Sequence, residues 1–217
     1  MADISTTVIT PADSYDLATL IEIKTMVGIS LTDTSEDAML AMWITQYSDM
    51  IATMCNRVFG YETVIETWRG DTKPFDTDNG RVFLTRYPVS ATDIVSVTGP
   101  DGTDLSGTYE LEQASGKLQF FNTCWSEPIR ISYSGGYNLP EEAPPALKQA
   151  LGMLVQLARV WQSRGMTAGV RSISHRESRV QFFDIFSEMS KMGGPGPMGA
   201  AASMINSLLY KYTRFYV

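Results

Sequence analysis

Few side chains in this 217-residue chain are spaced for chemistry. The one histidine, His175, lies in the basic polar stretch HRESR, so metal motifs that need two histidines are absent; a surface or arm position is expected for it. Asp76-Thr77-Asp78-Asn79-Gly80 resembles a calcium loop, but its glycine falls one place early and no glutamate closes it; a hairpin turn is the expectation. Glu141-Glu142 precedes a proline-led segment and reads as complement to a helix dipole rather than as an acid/base pair. No GxxxxGK[ST] run is present to cradle nucleotide phosphates, and no serine or threonine is marked as a nucleophile. Cys55 and Cys124 are far apart and lack metal-ligand spacing, and Cys55 is expected as a buried thiol. The reading is not an enzyme, with no catalytic, cofactor or metal residue assigned and no cofactor expected.

Interaction chemistry is better represented. The end of the chain, SMINSLLYKYTRFYV, places Leu208, Leu209, Tyr210, Tyr212, Phe215, Tyr216 and Val217 within its last ten residues. Lys211 and Arg214 lie among them, positioned to read acidic groups. Such a segment either packs back on its own domain or docks on a partner, by strand addition or in a groove. Charge is uneven along the chain. Residues 1–60 carry eight acids and two bases, a net of −6, while residues 159–217 carry eight bases and three acids, a net of +5. The split reads either as two solvated faces or as two ends that meet, within one chain or between neighbouring copies. Glu36 and Asp37 on the acidic side, and Arg171, His175, Arg176 and Arg179 on the basic side, are the candidate subunit or partner contacts. Overall, 17 Lys+Arg against 24 Asp+Glu leaves −7, which argues against general affinity for a phosphate backbone. No apolar run is long enough to cross a bilayer, and the first residues lack signal-peptide character, so no membrane association is expected.

These groups must be held by regular elements. Thr34 to Phe59 puts Leu40, Trp43, Ile44, Tyr47, Ile51, Met54 and Val58 at three- and four-residue steps, an apolar stripe on a helix of about six to seven turns. Thr34 or Ser35 can cap its start, Glu36 and Asp37 suit the positive pole, and Arg57 suits the other end. Before it, Thr19 can cap a short helix, Leu20 to Val27, stopped by Gly28. From Glu62 to Tyr133 the pattern alternates, and short extended pieces separated by Gly, Pro, Asn or Ser imply an antiparallel β unit. After Gly135-Gly136, Pro144-Pro145 opens a second helix with Leu147, Leu151, Leu154 and Trp161 on one stripe, ended by Gly165.

The expected class is α+β: a helical bundle built on two long amphipathic helices, with an inserted antiparallel β unit and an extended C-terminal tail. The expected divisions are a mobile N-terminal arm (1–15), helical part (16–60), inserted β unit (61–135), second long helix (140–165), arm and flexible linker (166–198), and docking tail (199–217). Gly169 to Phe183 reads as an exposed hairpin or arm, and KMGGPGPMG as a breaker.

The order of segments carries a resemblance. LIEIKTMVGI, EDAMLAMWI followed by CNRVF, ETW, LTRYPVSATDIVSV, YELEQASGKLQFF, the YSGGY-to-helix junction and the terminal LLYKYTRFYV resemble the head–tail connector (adaptor) proteins of long-tailed phages and gene transfer agents. The likeness runs from about Leu20 to Thr167, with the tail as a separate match; residues 174–197 depart from the shorter members. It implies a structural virion protein of the neck, present in the host cytoplasm during assembly. It further implies copies of itself in a ring, usually of twelve, beneath a portal protein. The ring extends the DNA channel without sequence-specific binding and presents a surface to the next neck or tail-completion protein, and the C-terminal tail engages the portal rim. An alternative from the residues alone is a carbohydrate- or surface-binding module in which Trp68, Phe75, Tyr87, Tyr109 and Trp125 stack on sugar rings. A nucleic-acid-binding module ranks third, on the basic C-terminal third.

Overall fold

Thr19 begins helix α1 (Leu20–Val27) with a reciprocal cap: its hydroxyl accepts from the Glu22 N–H while the Glu22 carboxylate takes the Thr19 N–H, and Gly28 ends the helix at φ 72°. The computed structural model describes residues 3–69, 81–121, 128–165, 172–175, 178–181 and 197–214. Helix α2 (Asp37–Met54) is shorter at both ends than the Thr34–Phe59 expectation. Glu36, not Thr34 or Ser35, stands at its cap without a side-chain bond. At the other end Asn56 adopts φ 50° and the Arg57 N–H reaches back to Ala52 O at 3.0 Å, which closes the last turn. Leu40, Ile44 and Ile51 are buried on the expected stripe, but Met54 is 39% exposed and Ser48 takes a buried place. Ser48 is tolerated there because its Oγ accepts the Leu17 N–H at 3.0 Å.

Helix α3 (Pro145–Gly165) opens and closes on the predicted proline and glycine. Helix α4 (Pro197–Leu209) starts inside the stretch expected as a breaker, with Pro197 at the first position, where its missing N–H costs nothing. The four described helices share one core. Leu40, Ile44, Ile51, Leu147 and Leu151 are at most 3% exposed, joined by Ile205 and Leu209 from α4. Each such side chain contributes about 1.5–3 kcal/mol.

The N-terminal arm expectation is corrected. Asp3–Thr10 is strand β1, an edge strand antiparallel to β2 (Glu62–Arg69), with Ile4 opposite Trp68 and Val8 opposite Val64. The run Ile4-Ser5-Thr6-Thr7-Val8-Ile9, β-branched at every position but Ser5, supplies the physical reason. The remaining strands are β3 (Arg81–Phe83), β4 (Ile94–Thr98), β5 (Tyr109–Glu112), β6 (Lys117–Phe120) and β7 (Ile129–Gly135). They form an antiparallel sheet ordered β1-β2-β7-β4 and a second sheet ordered β3-β6-β5. Val64, Val97, Ile131 and Tyr133 of the first meet Val82 and Leu118 of the second in a separate core. Within the Gly169–Phe183 stretch, β8 (Ser172–His175) pairs antiparallel with β9 (Ser178–Gln181). The chain is thus mixed α and β with antiparallel sheets.

Glycines make the junction between the two cores. Tyr61 N–H donates to Tyr137 O at 2.9 Å and Tyr137 N–H to Phe59 O at 2.8 Å. Gly136 lies at φ 118°, with the Gly60 carbonyl where its Cβ would stand.

Candidate docking site at the C-terminal segment

α4 brings the aromatic tail to the seam between helices and sheets. After Leu209 a short 3-10 turn, Tyr210–Tyr212, redirects the chain. The Tyr212 ring then meets Phe59 edge-on, centroids 6.4 Å apart at 72°. Arg214 follows in an extended run: its N–H donates to Cys55 O at 2.8 Å and its guanidinium to Phe83 O at 3.2 Å. The segment thereby bridges the end of α2 and strand β3. Burial lowers the Arg214 pKa, while the buried Glu66 carboxylate nearby favours its charge. Burial raises the Cys55 thiol, partly offset by the Thr213 hydroxyl and Arg57.

Two polar clusters line this seam. Glu66 is fully buried and accepts from Trp68 Nε1 at 3.1 Å, Thr85 N–H at 2.9 Å, the Thr85 hydroxyl and the Tyr133 hydroxyl. Burial and the adjacent Glu66 charge push the Tyr133 phenol well above its ordinary value. Arg57, 7% exposed, lies against the Tyr87 ring at 3.5 Å and the Phe59 ring at 4.8 Å, and donates to Tyr87 O. At the outer margin Glu62 joins Arg86 at 2.6 Å and accepts the Tyr15 hydroxyl at 2.6 Å.

The predicted tail residues divide by accessibility. Leu209 is buried in the chain's own core, and Leu208 and Tyr212 pack against it. Tyr210 is 70% exposed and Lys211 is exposed, so these two present an outward face. Phe215, Tyr216 and Val217 lie outside the described residues. Of the candidate contacts, Glu36 pairs with Arg159 through two bonds of 3.0 and 3.3 Å, and Asp37 with Lys24 at 2.5 Å. Acidic and basic ends therefore meet within one chain at Glu36–Arg159. His175 and Arg179 fall on β8 and β9, opposite Ser178 and Ser174 respectively. Arg171 and Arg176 lie outside the described residues.

The sugar-stacking aromatics are internally engaged where described. Trp68 is 5% exposed, Tyr87 covers Arg57, and Tyr109 packs on Phe120 with centroids 5.5 Å apart. Phe75, Trp125 and the Asp76–Gly80 turn lie outside the described residues. Glu142 accepts from Asn138 Nδ2 at 2.9 Å, whereas Glu141 meets Lys148 through its backbone carbonyl. Among the described residues no group of three or more His, Cys, Asp or Glu is arranged to hold a metal, and no helix is long and apolar enough to cross a membrane. Sequence reasoning missed Glu66, Arg86 and Tyr133 and placed Arg57 only at a helix end; their local pattern does not mark this cluster, because most of its partners are distant in the chain.

The C-terminal segment is thus anchored to the body through Leu209 and Arg214 and leaves Tyr210 and Lys211 outward. The chain belongs to the head completion protein family (HCP), whose model matches residues 16–174. No curated relative matches. The fold is similar to a chain in the neck of an empty gene transfer agent (GTA) particle computed with C6 symmetry. That match has a TM-score of 0.55 and 12% identity, and it covers 98% of this chain and 97% of that one. A chain in the virion of a native gene transfer agent particle matches at TM-score 0.53 and 11% identity, covering 98% and 96%.

Proposed function

We propose that this protein is a head–tail adaptor: a structural virion protein that forms a ring, of twelve copies, below a portal protein. The ring extends the DNA channel and offers the attachment surface for the next neck or tail-completion protein. The observation that carries this reading is the head completion family match over residues 16–174, supported by the fold likeness to a gene transfer agent neck chain. The net charge of −7 suits a conduit through which DNA slides without sequence-specific binding. The C-terminal segment engages the portal rim through Tyr210, Lys211 and the residues that follow. Leu208, Leu209, Tyr212 and Arg214 hold that rim against the body. Assembly takes place in the host cytoplasm and the product resides in the virion neck.

Timing follows from weak copy–copy contacts. A Kd of about 10–100 μM keeps the free protein mostly monomeric. Docking on a portal raises neighbours to about millimolar effective concentration and closes the ring. Stable rings at sub-micromolar concentration without a portal would refute that timing.

The test is negative-stain imaging of the pure protein with its cognate portal. Truncation at Ser203 would strip Ile205 and Leu209 from the core, so the informative variants are Tyr210→Ala with Lys211→Glu, and a chain ending after Arg214. A ring added by the intact chain and lost in these folded variants supports the adaptor and its rim. Rings added by all three keep the adaptor and remove the rim. No ring with any chain removes the adaptor reading.

A further inference from the structure

The two described multi-stranded sheets have four outer edges, and three of them are blunted. β4 carries a register shift between Ile94 and Ser96, and its far half is covered where Leu105 N–H donates to Val97 O at 2.9 Å and Thr98 bridges Asp104. β3 is three residues long and begins with Arg81. β5 is four residues long and carries Glu110 and Glu112. Short, charged or bulged edges resist strand addition. β1 is irregular at its far end, with a register shift between Val8 and Thr10, but from Asp3 to Val8 its pairing is continuous and its edge has none of these protections. It spans eight residues, Asp3 is its one charge, and among the described residues it borders β2 alone. Residues 5–9 are exposed, Val8 by 43% and Ile9 by 55%.

The β8–β9 hairpin has the opposite deficit. It is a two-stranded sheet with Ile173 opposite Val180 and joins no other strand among the described residues. A lone two-stranded ribbon is marginal in water and gains stability by extending a larger sheet. Its surroundings are basic, with Arg171, Arg176 and Arg179 against Glu177, whereas β1 is followed by Asp13 and Asp16 with no base before Lys24. A ring needs a head-to-tail contact between two different surfaces of one chain, and these two differ in the required sense.

We propose that the β8–β9 hairpin of one copy adds to the β1 edge of its neighbour, extending the β1-β2-β7-β4 sheet across the subunit boundary. Main-chain hydrogen bonds supply the contact, and the basic sequence around the hairpin complements the acidic sequence that follows β1. The inference rests on the ring reading for its closure, but its contact is measurable without a portal.

The test mixes two isotopic forms of the full chain, one carrying a photo-cross-linking phenylalanine analogue at Thr7, an exposed strand position. The mixture is irradiated both on the portal and concentrated alone. Cross-links from position 7 to residues 172–181 of the other isotopic form are expected. Cross-links to residues 3–10 of the other copy mean that β1 strands pair with each other and overturn the proposal; cross-links elsewhere, or none between copies, also overturn it. Thr7→Lys is expected to weaken the copy–copy contact about tenfold at unchanged melting temperature; wild-type affinity overturns the proposal. A portal-bound ring without hairpin cross-links defeats this inference alone. Hairpin cross-links in the concentrated protein without a portal ring defeat the adaptor reading alone.

Discussion

The Arg214 guanidinium donates to the Phe83 carbonyl at 3.2 Å across 131 residues of sequence. That bond, with the Arg214 N–H on Cys55 O, ties the C-terminal segment to both cores. Arg214→Ala is expected to lower stability by about 1–3 kcal/mol, the range for a buried hydrogen-bonding partner removed. Denaturant unfolding measures the loss. Hydrogen exchange locates it, with faster exchange confined to residues 197–213. Uniform acceleration across the chain would contradict a local tether.

Tyr133 and Glu66 give a second prediction. Tyr133→Phe deletes one of the four donors on the buried Glu66 carboxylate and also leaves Arg86 N–H without its 2.9 Å acceptor. The expected cost is about 1–3 kcal/mol. The phenol's folded pKa is raised, chiefly by burial and the Glu66 charge. The neutral form's contribution is therefore fully present below the ordinary tyrosine value of about 10 and is lost as pH rises through the higher folded value. The wild-type advantage over the Phe variant should shrink in that alkaline window; a difference constant to high pH would contradict it.

At the acid end the test is Glu22. Burial works against its charge, but Lys148 at 2.6 Å and the Thr19 backbone N–H at 2.8 Å outweigh it and lower the folded pKa. The contribution is present above the ordinary glutamate value of about 4.3 and is lost as pH falls through the lower folded value. Unfolding midpoints of the wild type and Glu22→Gln should differ at pH 7 and converge on acidification. A gap that widens toward low pH would reverse the assignment.

Gly136→Ala tests the junction. At φ 118° and against the Gly60 carbonyl, an added Cβ has neither a conformation nor space. A loss of about 2–4 kcal/mol is expected, read as a lower thermal midpoint. Gly107→Ala, at φ 78° with nothing within 4 Å of the added Cβ, provides the comparison and should cost less.

The local code of this chain was readable wherever the determinant lay within a few residues. Thr19, Glu22 and Gly28 bracket α1, and Pro145 with Gly165 bracket α3, because caps and breakers act on their own turn. The apolar stripe of α2 was legible from its period, although Met54 turned outward where Asn56 closes the helix early. β1 was missed because a partly exposed hydroxyl-rich run shows its strand character only through pairing with β2, more than fifty residues away. Pro197 and the glycines beside it masked α4, whose stability comes from Ile205 and Leu209 packing in a distant core rather than from propensity. In the docking segment, the aromatic-basic composition was visible. The division between an inward anchor at buried Leu209 and half-buried Arg214 and an outward rim at Tyr210 and Lys211 was not, because it depends on which side of α4 meets α3. Arg57 was assigned to the helix dipole and is instead enclosed by aromatic rings contributed from three separate stretches.

The placement of Ile205 and Leu209 in the helical core has a consequence for synthesis. As the chain leaves the ribosome, β1, β2 and β7 complete their pairing once residue 135 has emerged. The helical core still lacks its closing wall at that stage, and it gains that wall only when residue 209 follows. From the completion of α3 at residue 165, the apolar faces of α2 and α3 stand partly uncovered for the forty-odd codons that follow. Slow translation between residues 165 and 209 therefore lengthens the interval in which nascent chains can associate wrongly, and faster decoding of that stretch raises the soluble yield.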